Sequence, residues 1–518
     1  MQLSLRLTLL LAGCVAAQRP SLKLPDATYV GTTTQIAVAT GTATVDKFVG
    51  VRFAAPPVRF RAARPPIPGN GTVEATKSPP ACPQSSGGEE DCLFLSVFAP
   101  RNSNKAPKAV MIWWYGGALQ GGSVSGFDGS SLAANGDVVV LASNYRVGVF
   151  GFPGNVSGIP ADELNAGFRD QKRALQWIQD NIASFGGDKN KVTIFGDSAG
   201  AVSVDSQLLS EPFDKPLFHS AILHSGGLHT FNRIALDIGP YSTGLGTGNK
   251  KDEAPFLTLA KALECPVDQA LQCVQSKTVT EVKAGVSKVN LLFPPIDDDG
   301  LSSVDDSDSA RRAGRMVKVP TMVGSTFSEG DIFPENLISS KTVEEWVKII
   351  YPRSESKQKA VLEAYAVGTS SMIQTTSQAR RLLHSDYQFA CTSTYDADIM
   401  ASVGIPTWRF MFNASLPNGK LASHGSDVGF LFGTSQSTET NLRLSRKMQA
   451  AWGAFARNPA AGPGWAKYGS SKASVANIGG EGSRDSITMI DPIVVDSRCP
   501  VFTNVYDPNR PAPGSGLG

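Results

Sequence analysis

One stretch of this 518-residue chain restricts its fold more than any other: residues 191–209. Lys191 to Phe195 (KVTIF) is apolar and β-branched and reads as a strand. Gly196-Asp197-Ser198-Ala199-Gly200 follows, and Ala199 to Leu209 opens a helix. The pattern G-x-S-x-G recurs by chance on its own. Between a strand and a helix it demands a sharp, strained turn. Side chains larger than hydrogen would clash at the two flanking positions, and Gly196 and Gly200 supply the room. Ser198 is then lifted above the sheet at a helix N-terminus, where the dipole favours developing negative charge. An ordinary turn with an N-cap serine is the plainer alternative. The strand–turn–helix context favours a nucleophile.

The neighbouring segments extend the same architecture. Lys108 to Trp114 (KAVMIWW) and Asp137 to Ala142 (DVVVLA) read as buried strands. Leu164 to Phe185 reads as an amphipathic helix with Leu175, Ile178 and Ile182 on one face, stopped by Gly186-Gly187-Asp188. Ala221 to Leu223, Val319 to Gly324 (VPTMVG) and Pro406 to Phe412 (PTWRFMF) are further strands of the same sheet. Strands alternating with helices predict an α/β fold, a mostly parallel sheet covered on both faces. The acidic stretch Asp297 to Asp308 reads as a solvated surface loop. At about 100–200 residues per domain the length allows three domains. No linker divides the chain, however, and the candidate site residues are spread from Gly117 to His424 and must converge.

A serine hydroxyl needs a base, and the chain has five histidines: His219, His224, His229, His384 and His424. With this kind of elbow the partners follow in the order Ser, acid, His. The first three come before any plausible acid. His384 lies in a helical segment, where a surface or packed histidine is the plain reading. His424 lies in a small-residue loop, Ala422 to Asp427, and is preferred. Once neutral it can act as base, so activity should fall as pH drops through its pKa, expected near or below neutrality. The acid must lie just past a strand. Glu329 and Asp331, after VPTMVG, both qualify by position. If Ser198 attacks a carbonyl, the resulting oxyanion needs backbone N–H donors free of side chains. Gly117 and Ala118, in Trp113 to Leu119 (WWYGGAL), and Ala199 after the nucleophile are the candidate donors.

The N-terminus reads as a secretory signal over residues 1–17: Arg6, an apolar run from Leu7 to Ala17, and small residues at Val15-Ala16-Ala17. A run that short does not span a bilayer, which needs about 20 residues. No other stretch does, and the tail from Pro511 to Gly518 is not hydrophobic, so no stable membrane anchor is expected. Beyond Cys14 six cysteines remain, which suggests three disulfides in an exported chain. Proximity favours Cys82–Cys92 and Cys265–Cys273, leaving Cys391–Cys499. Asn70, Asn155 and Asn413 are glycosylation acceptors by triplet. Lys+Arg total 48 against 46 Asp+Glu, a balance that excludes nucleic acid as a main partner.

Longer blocks add a resemblance. FVGVRFAAPP (48–57), EDCLFLSVFAP (90–100), NYRVGVFGF (144–152), FGGDKNKVTIFGDSAG (185–200) and SHGSD (423–427) resemble the type-B carboxylesterase/cholinesterase/lipase family over nearly all of residues 18–518. The resemblance implies one α/β-hydrolase domain over that span, with a large central, mostly parallel sheet flanked by helices. It implies a Ser198, Glu329, His424 triad, with Glu329 in the family's S-E-G context and thus preferred to Asp331. It also implies the three disulfides, and ion pairs Arg59–Glu90 and Arg146–Asp170 in structural roles. The activity implied is that of a secreted serine carboxylic-ester hydrolase working through an acyl-enzyme on a small-molecule ester, with no metal or organic cofactor.

Departures from the family pattern narrow this. YGGA stands where HGGG is common, and Tyr115 and Ala118 resemble variants in some cholinesterases and fungal lipases. Asp197 stands where Glu is usual. The loop between Cys82 and Cys92 holds nine residues (PQSSGGEED), too few for a lipase flap, and no tryptophan to hold choline. That argues against an acetylcholinesterase and more weakly against an interfacial lipase. A lipase acting on acylglycerols and a tailoring esterase for one secondary metabolite remain as alternatives. A non-catalytic adhesion module is opposed by the intact triad. The stretch from Phe231 to Lys250 is expected to roof the pocket.

Overall fold

A computed structural model describes residues 19–101, 106–210, 212–228, 254–298, 300–302, 306–332, 341–416, 420–435, 438–480 and 482–502. The signal segment, His229 and the stretch from Phe231 to Lys250 lie outside these residues. The strands begin with β1 (Ser21–Lys23), β2 (Ala27–Val30), β3 (Thr32–Val38), β4 (Gly41–Arg52) and β5 (Gly71–Glu74). Next come β6 (Phe94–Pro100), β7 (Lys108–Trp114), β8 (Val139–Ser143), β9 (Gly187–Asp197) and β10 (Ser220–His224). The last are β11 (Thr321–Thr326), β12 (Thr407–Phe412), β13 (Val475–Ile478) and β14 (Ile487–Ile490).

Eleven of these strands form one sheet in the spatial order β14-β13-β12-β11-β10-β9-β7-β8-β6-β4-β3; β1, β2 and β5 form a small second sheet. The run from β8 to β13 is parallel, and the pairs β3/β4, β4/β6, β6/β8 and β13/β14 are antiparallel. The middle strands have helices on both faces, so their side chains are buried on both. β8, β10, β11 and β12 are buried at every position, which is why KAVMIWW and its counterparts are continuous apolar runs rather than alternating ones.

The helices follow the sequence with small shifts. Leu164 to Phe185 resolves into an α-helix over Ala166–Asn181 and a 3-10 turn over Ile182–Phe185, which ends at Gly186 in the left-handed conformation (φ 76°). The helix after the elbow, Ala199–Leu208, is buried along its whole length. The acidic stretch departs from expectation. Asp298 is not solvated: its carboxylate is buried, accepts from the Ser302 N–H at 2.8 Å and takes the Arg169 guanidinium at 3.2 Å. A carboxylate that can satisfy a turn's backbone donor and a nearby cation together has partners enough to leave water.

Two ion pairs join loops to one another and to the helix Ala166–Asn181. Arg146 and Asp170 pair in a fork, both contacts at 2.7 Å, with both side chains buried. Arg59 pairs with Glu90 at 2.7 and 2.8 Å. A third fork, Arg52–Asp91, and a fully buried Arg311–Asp205 pair had no signal in the sequence pattern. Disulfides join Cys82 to Cys92, Cys265 to Cys273 and Cys391 to Cys499. Among the described residues no helix is long and apolar enough to cross a membrane.

Candidate active site

The parallel strands all run the same way, so their C-terminal ends lie along one edge of the sheet, where open α/β sheets place their ligand sites. β7 delivers Tyr115 to Leu119 there, β9 delivers Ser198, β10 delivers Ser225, and β11 delivers Glu329. The β11–β12 pairing continues past the strands: the Ser328 N–H donates to Ala422 O at 2.7 Å, and Ser328 bridges Ser423 in parallel register. The next residue on each side is Glu329 and His424.

Ser198 has φ 57° and ψ −121°, a strained conformation for any residue but glycine. Its neighbours show why the turn is glycine-flanked. A Cβ on Gly200 would lie 2.0 Å from Trp114 O, and one on Gly196 would lie 2.4 Å from the Gly200 carbonyl carbon. The elbow therefore rests directly on β7. The Ser198 N–H donates to His224 O at 2.9 Å, which holds the turn from the other side.

The small-residue loop after β7 reaches the same point. A Cβ on Gly116 would stand 2.9 Å from the Ser198 Cβ. Gly117 (φ 110°), Ala118 (φ 55°) and Leu119 (φ 59°) are all left-handed, and the last two incur about 1–2 kcal/mol each as non-glycine residues. Gly117 O accepts from the N–H groups of Gln120 and Gly121 at 2.9 and 3.2 Å, closing the turn. Gly117 and Ala118 are exposed, and Leu119 is buried beneath them. Tyr115 does not enter the site. It is buried, stacks on Tyr145 at 4.5 Å, and the two exchange hydroxyl-to-carbonyl hydrogen bonds of 3.0 and 2.7 Å. A phenol thus anchors the loop from below.

Glu329 is fully buried, and its two oxygens have separate duties. Oε1 accepts from the Thr326 N–H and from the Ser225 hydroxyl, both at 2.6 Å. Oε2 lies 2.6 Å from His424 Nδ1. His424 Nε2 is buried and has no hydrogen-bond partner among the described residues. Burial pulls the imidazole pKa down, but the Glu329, Asp197 and Asp427 carboxylates outweigh it and raise the pKa to about 9. That corrects the expectation of a value near or below neutrality. Asp197 lies within the same cluster. Its Oδ2 is 3.4 Å from the Cβ position of Gly116 and 3.5 Å from that of Gly425. Burial pushes its pKa well above the carboxylate range, and the Asp427 and Glu329 carboxylates add to the rise against the opposing pull of His424.

Further groups hold this arrangement. The helix Ser426–Leu431 begins two residues after His424, and its Asp427 carboxylate lies 2.6 Å from His224 Nδ1. Trp452 Nε1–H donates to His224 Nε2 at 3.0 Å. Indole nitrogen can only donate, so His224 is neutral with its proton on Nδ1, facing Asp427. The Phe389 ring packs on His424 at 4.7 Å from a π-helical turn, Asp386–Ala390. Sequence reading singled out neither Ser225, Tyr145 nor Phe389. Ser225 has a usable signal, a small hydroxyl residue just past the strand beside the elbow.

The remaining candidates fall elsewhere. Asp331 turns away and pairs with Arg381 and the Ser328 hydroxyl. His384 is buried against Trp346, and burial lowers its pKa to about 4. His219 accepts from the Val192 N–H in the middle of β9. Asn70 is exposed, while Asn155 and Asn413 are partly buried.

A family model described as the carboxylesterase family matches residues 18–489. Carboxylesterase 5A of Felis catus is 31% identical over 471 residues, covering 82% of this chain and 83% of that protein. Fumonisin B1 esterase of Sphingopyxis macrogoltabida is 31% identical over 480 residues, covering 85% and 83%. Para-nitrobenzyl esterase of Bacillus subtilis is 30% identical over 458 residues, covering 82% and 89%.

Proposed function

Because the chain belongs to the carboxylesterase family and is a serine carboxylic-ester hydrolase of small-molecule esters, we propose that it works through an acyl-enzyme on Ser198, with Glu329 and His424 completing the triad. The observation that carries this reading is the 2.6 Å contact of His424 Nδ1 with Glu329 Oε2, with Nε2 buried and without a hydrogen-bond partner among the described residues. Glu329 fixes the proton on Nδ1, so Nε2 presents its lone pair. Nε2 takes the Ser198 hydroxyl proton as Oγ attacks the ester carbonyl, and the imidazolium that forms is stabilised by the buried carboxylate. The Gly117, Ala118 and Ala199 N–H groups receive the oxyanion. The imidazolium then protonates the departing alcohol, and water, activated the same way, releases the acid.

Secretion is part of the proposal: cleavage after Ala17, a single mature domain over 18–518, and glycans on Asn70, Asn155 and Asn413. Three disulfides support an oxidising compartment. The nine-residue Cys82–Cys92 loop supports an esterase over an interfacial lipase. A relative named for the ester of a single compound, fumonisin B1, keeps a tailoring esterase as the second reading. Rates on p-nitrophenyl esters from acetate to palmitate separate these readings. A smooth preference for short chains supports the esterase, and a jump in rate above the micelle threshold would refute it. Ser198→Ala protein that cleaved p-nitrophenyl acetate at the parent rate would sink the triad.

A further inference from the structure

The Cys82–Cys92 loop is too short to cover a substrate, but it is not idle. Gln84, inside it, reaches across to the loop after β7. Its side-chain oxygen accepts the Gly122 N–H at 2.8 Å, and its side-chain nitrogen donates to Gly122 O at 2.9 Å and to Cys82 O at 3.1 Å. Both backbone groups of Gly122 are therefore held by one side chain. Gln84 is itself fixed, since its N–H and C=O exchange hydrogen bonds with Gly87 at 2.9 and 3.1 Å within the disulfide-closed loop.

What Gly122 touches gives this clamp its meaning. Gly122 has φ 121°, and a Cβ there would lie 2.3 Å from the Tyr115 ring and 2.9 Å from Gly116 O. A Cβ on Gly117 would lie 2.4 Å from Gly121 O. Gly122 thus lies against the Tyr115 ring and the Gly116 carbonyl, and the Gly121 carbonyl lies against Gly117. The loop carries two consecutive left-handed non-glycine residues, Ala118 and Leu119. Such a conformation persists only where its surroundings over-determine it.

We propose that Gln84 is a positioning residue for the oxyanion hole, and that the short disulfide loop braces the oxyanion loop instead of roofing the pocket. This rests on the reading of Gly117 and Ala118 as oxyanion donors. Displaced donors fail mainly in the transition state, because the ground-state carbonyl needs them less. Loss of the brace should therefore lower kcat and leave KM nearly alone.

The test compares Gln84→Ala and Gln84→Glu with the parent protein on p-nitrophenyl acetate, and measures inhibition by an alkyl trifluoromethyl ketone and its methyl ketone analogue. Gln84→Glu keeps the chain length and the acceptor for Gly122 N–H but sets a second oxygen against two carbonyls, so it reports even if Gln84→Ala folds poorly. Removing one oxyanion donor outright costs about 10²–10³ in kcat, so loosening the loop should cost about 10–100-fold. KM should stay within about twofold, and the trifluoromethyl ketone should lose affinity by the same factor as kcat, as expected of a transition-state mimic. Lys283→Ala, which frees the same disulfide loop from its contact with Gly87 O, should leave kcat unchanged. If the parent binds both ketones equally, the oxyanion reading fails. If it prefers the trifluoro compound and either Gln84 variant keeps parent kcat, or if Lys283→Ala falls as far as they do, the brace fails.

Discussion

Replacing Glu329 by Gln changes one atom and should nearly abolish turnover, for a reason visible in the hydrogen bonds. The Oε1 position is surrounded by two donors at 2.6 Å, the Thr326 N–H and the Ser225 hydroxyl. A backbone N–H cannot accept, so the new amide must place its oxygen there. Its NH2 group then faces His424 Nδ1, now 2.6 Å from Oε2. An amide N–H donates, so Nδ1 must accept, and the imidazole proton moves to Nε2. The base then points a proton at the hydroxyl it should deprotonate. The corresponding exchange in a serine-protease triad lowers kcat about 10⁴-fold by this wrong tautomer. At 1.36 kcal/mol per decade that is about 5.4 kcal/mol of transition-state stabilisation. The assay is kcat on p-nitrophenyl acetate at pH 8, with near-UV circular dichroism to show that the fold is kept. Asp331→Asn, two residues on, should leave kcat within about twofold, since that carboxylate serves Arg381. A folded Glu329→Gln protein within about tenfold of parent kcat would refute the tautomer argument.

The protonated His424 is inactive and its pKa is raised to about 9, so kcat/KM should fall as pH drops through a value above the ordinary 6.5; an acid limb at or below 6.5 would contradict this. The Asp197 carboxylate is one of the charges that raise His424, so Asp197→Asn should move that limb to lower pH, and an unmoved limb would mean that Asp197 does not act on the imidazole. Gly200→Ala drives a methyl to 2.0 Å from Trp114 O, where only backbone can yield, and should destabilise by about 3 kcal/mol or more. A urea-midpoint shift worth under about 1 kcal/mol would contradict it. Replacing Cys391 and Cys499 by Ser opens a link across 108 residues and should cost about 4–5 kcal/mol, read as a lowered Tm; an unchanged Tm counts against the chain-entropy account. His384, with its folded pKa near 4, favours folding fully above 6.5 and progressively less as pH falls from 6.5 to 4, a loss of up to about 3 kcal/mol that His384→Gln should remove from the stability-versus-pH curve.

The strands of the sheet were legible because a parallel strand buried on both faces must be a continuous apolar run, and KVTIF, VPTMVG and PTWRFMF each announce one. The elbow was legible because its glycines answer a local steric demand. Asp298 was misread as solvated because an acidic run looks the same whether it faces water or Arg169, and only a distant residue decides between them. The pKa of His424 was misjudged for a related reason. Glu329 was counted as its partner, but the Asp197 and Asp427 carboxylates close by on other elements were not.

By itself the sequence determined the α/β class, the elbow at Ser198 and the chain order of the candidate site, since these depend on local periodicity, steric room at glycine and residue chemistry. Only the tertiary structure decided which groups surround them: Ser225 on Glu329, Tyr145 under Tyr115, Gln84 on Gly122. Each of these contacts joins residues that are near in space because strands end at one edge of a sheet. Hydrogen-bond partners are chosen by distance in that space, and a linear pattern carries no record of it.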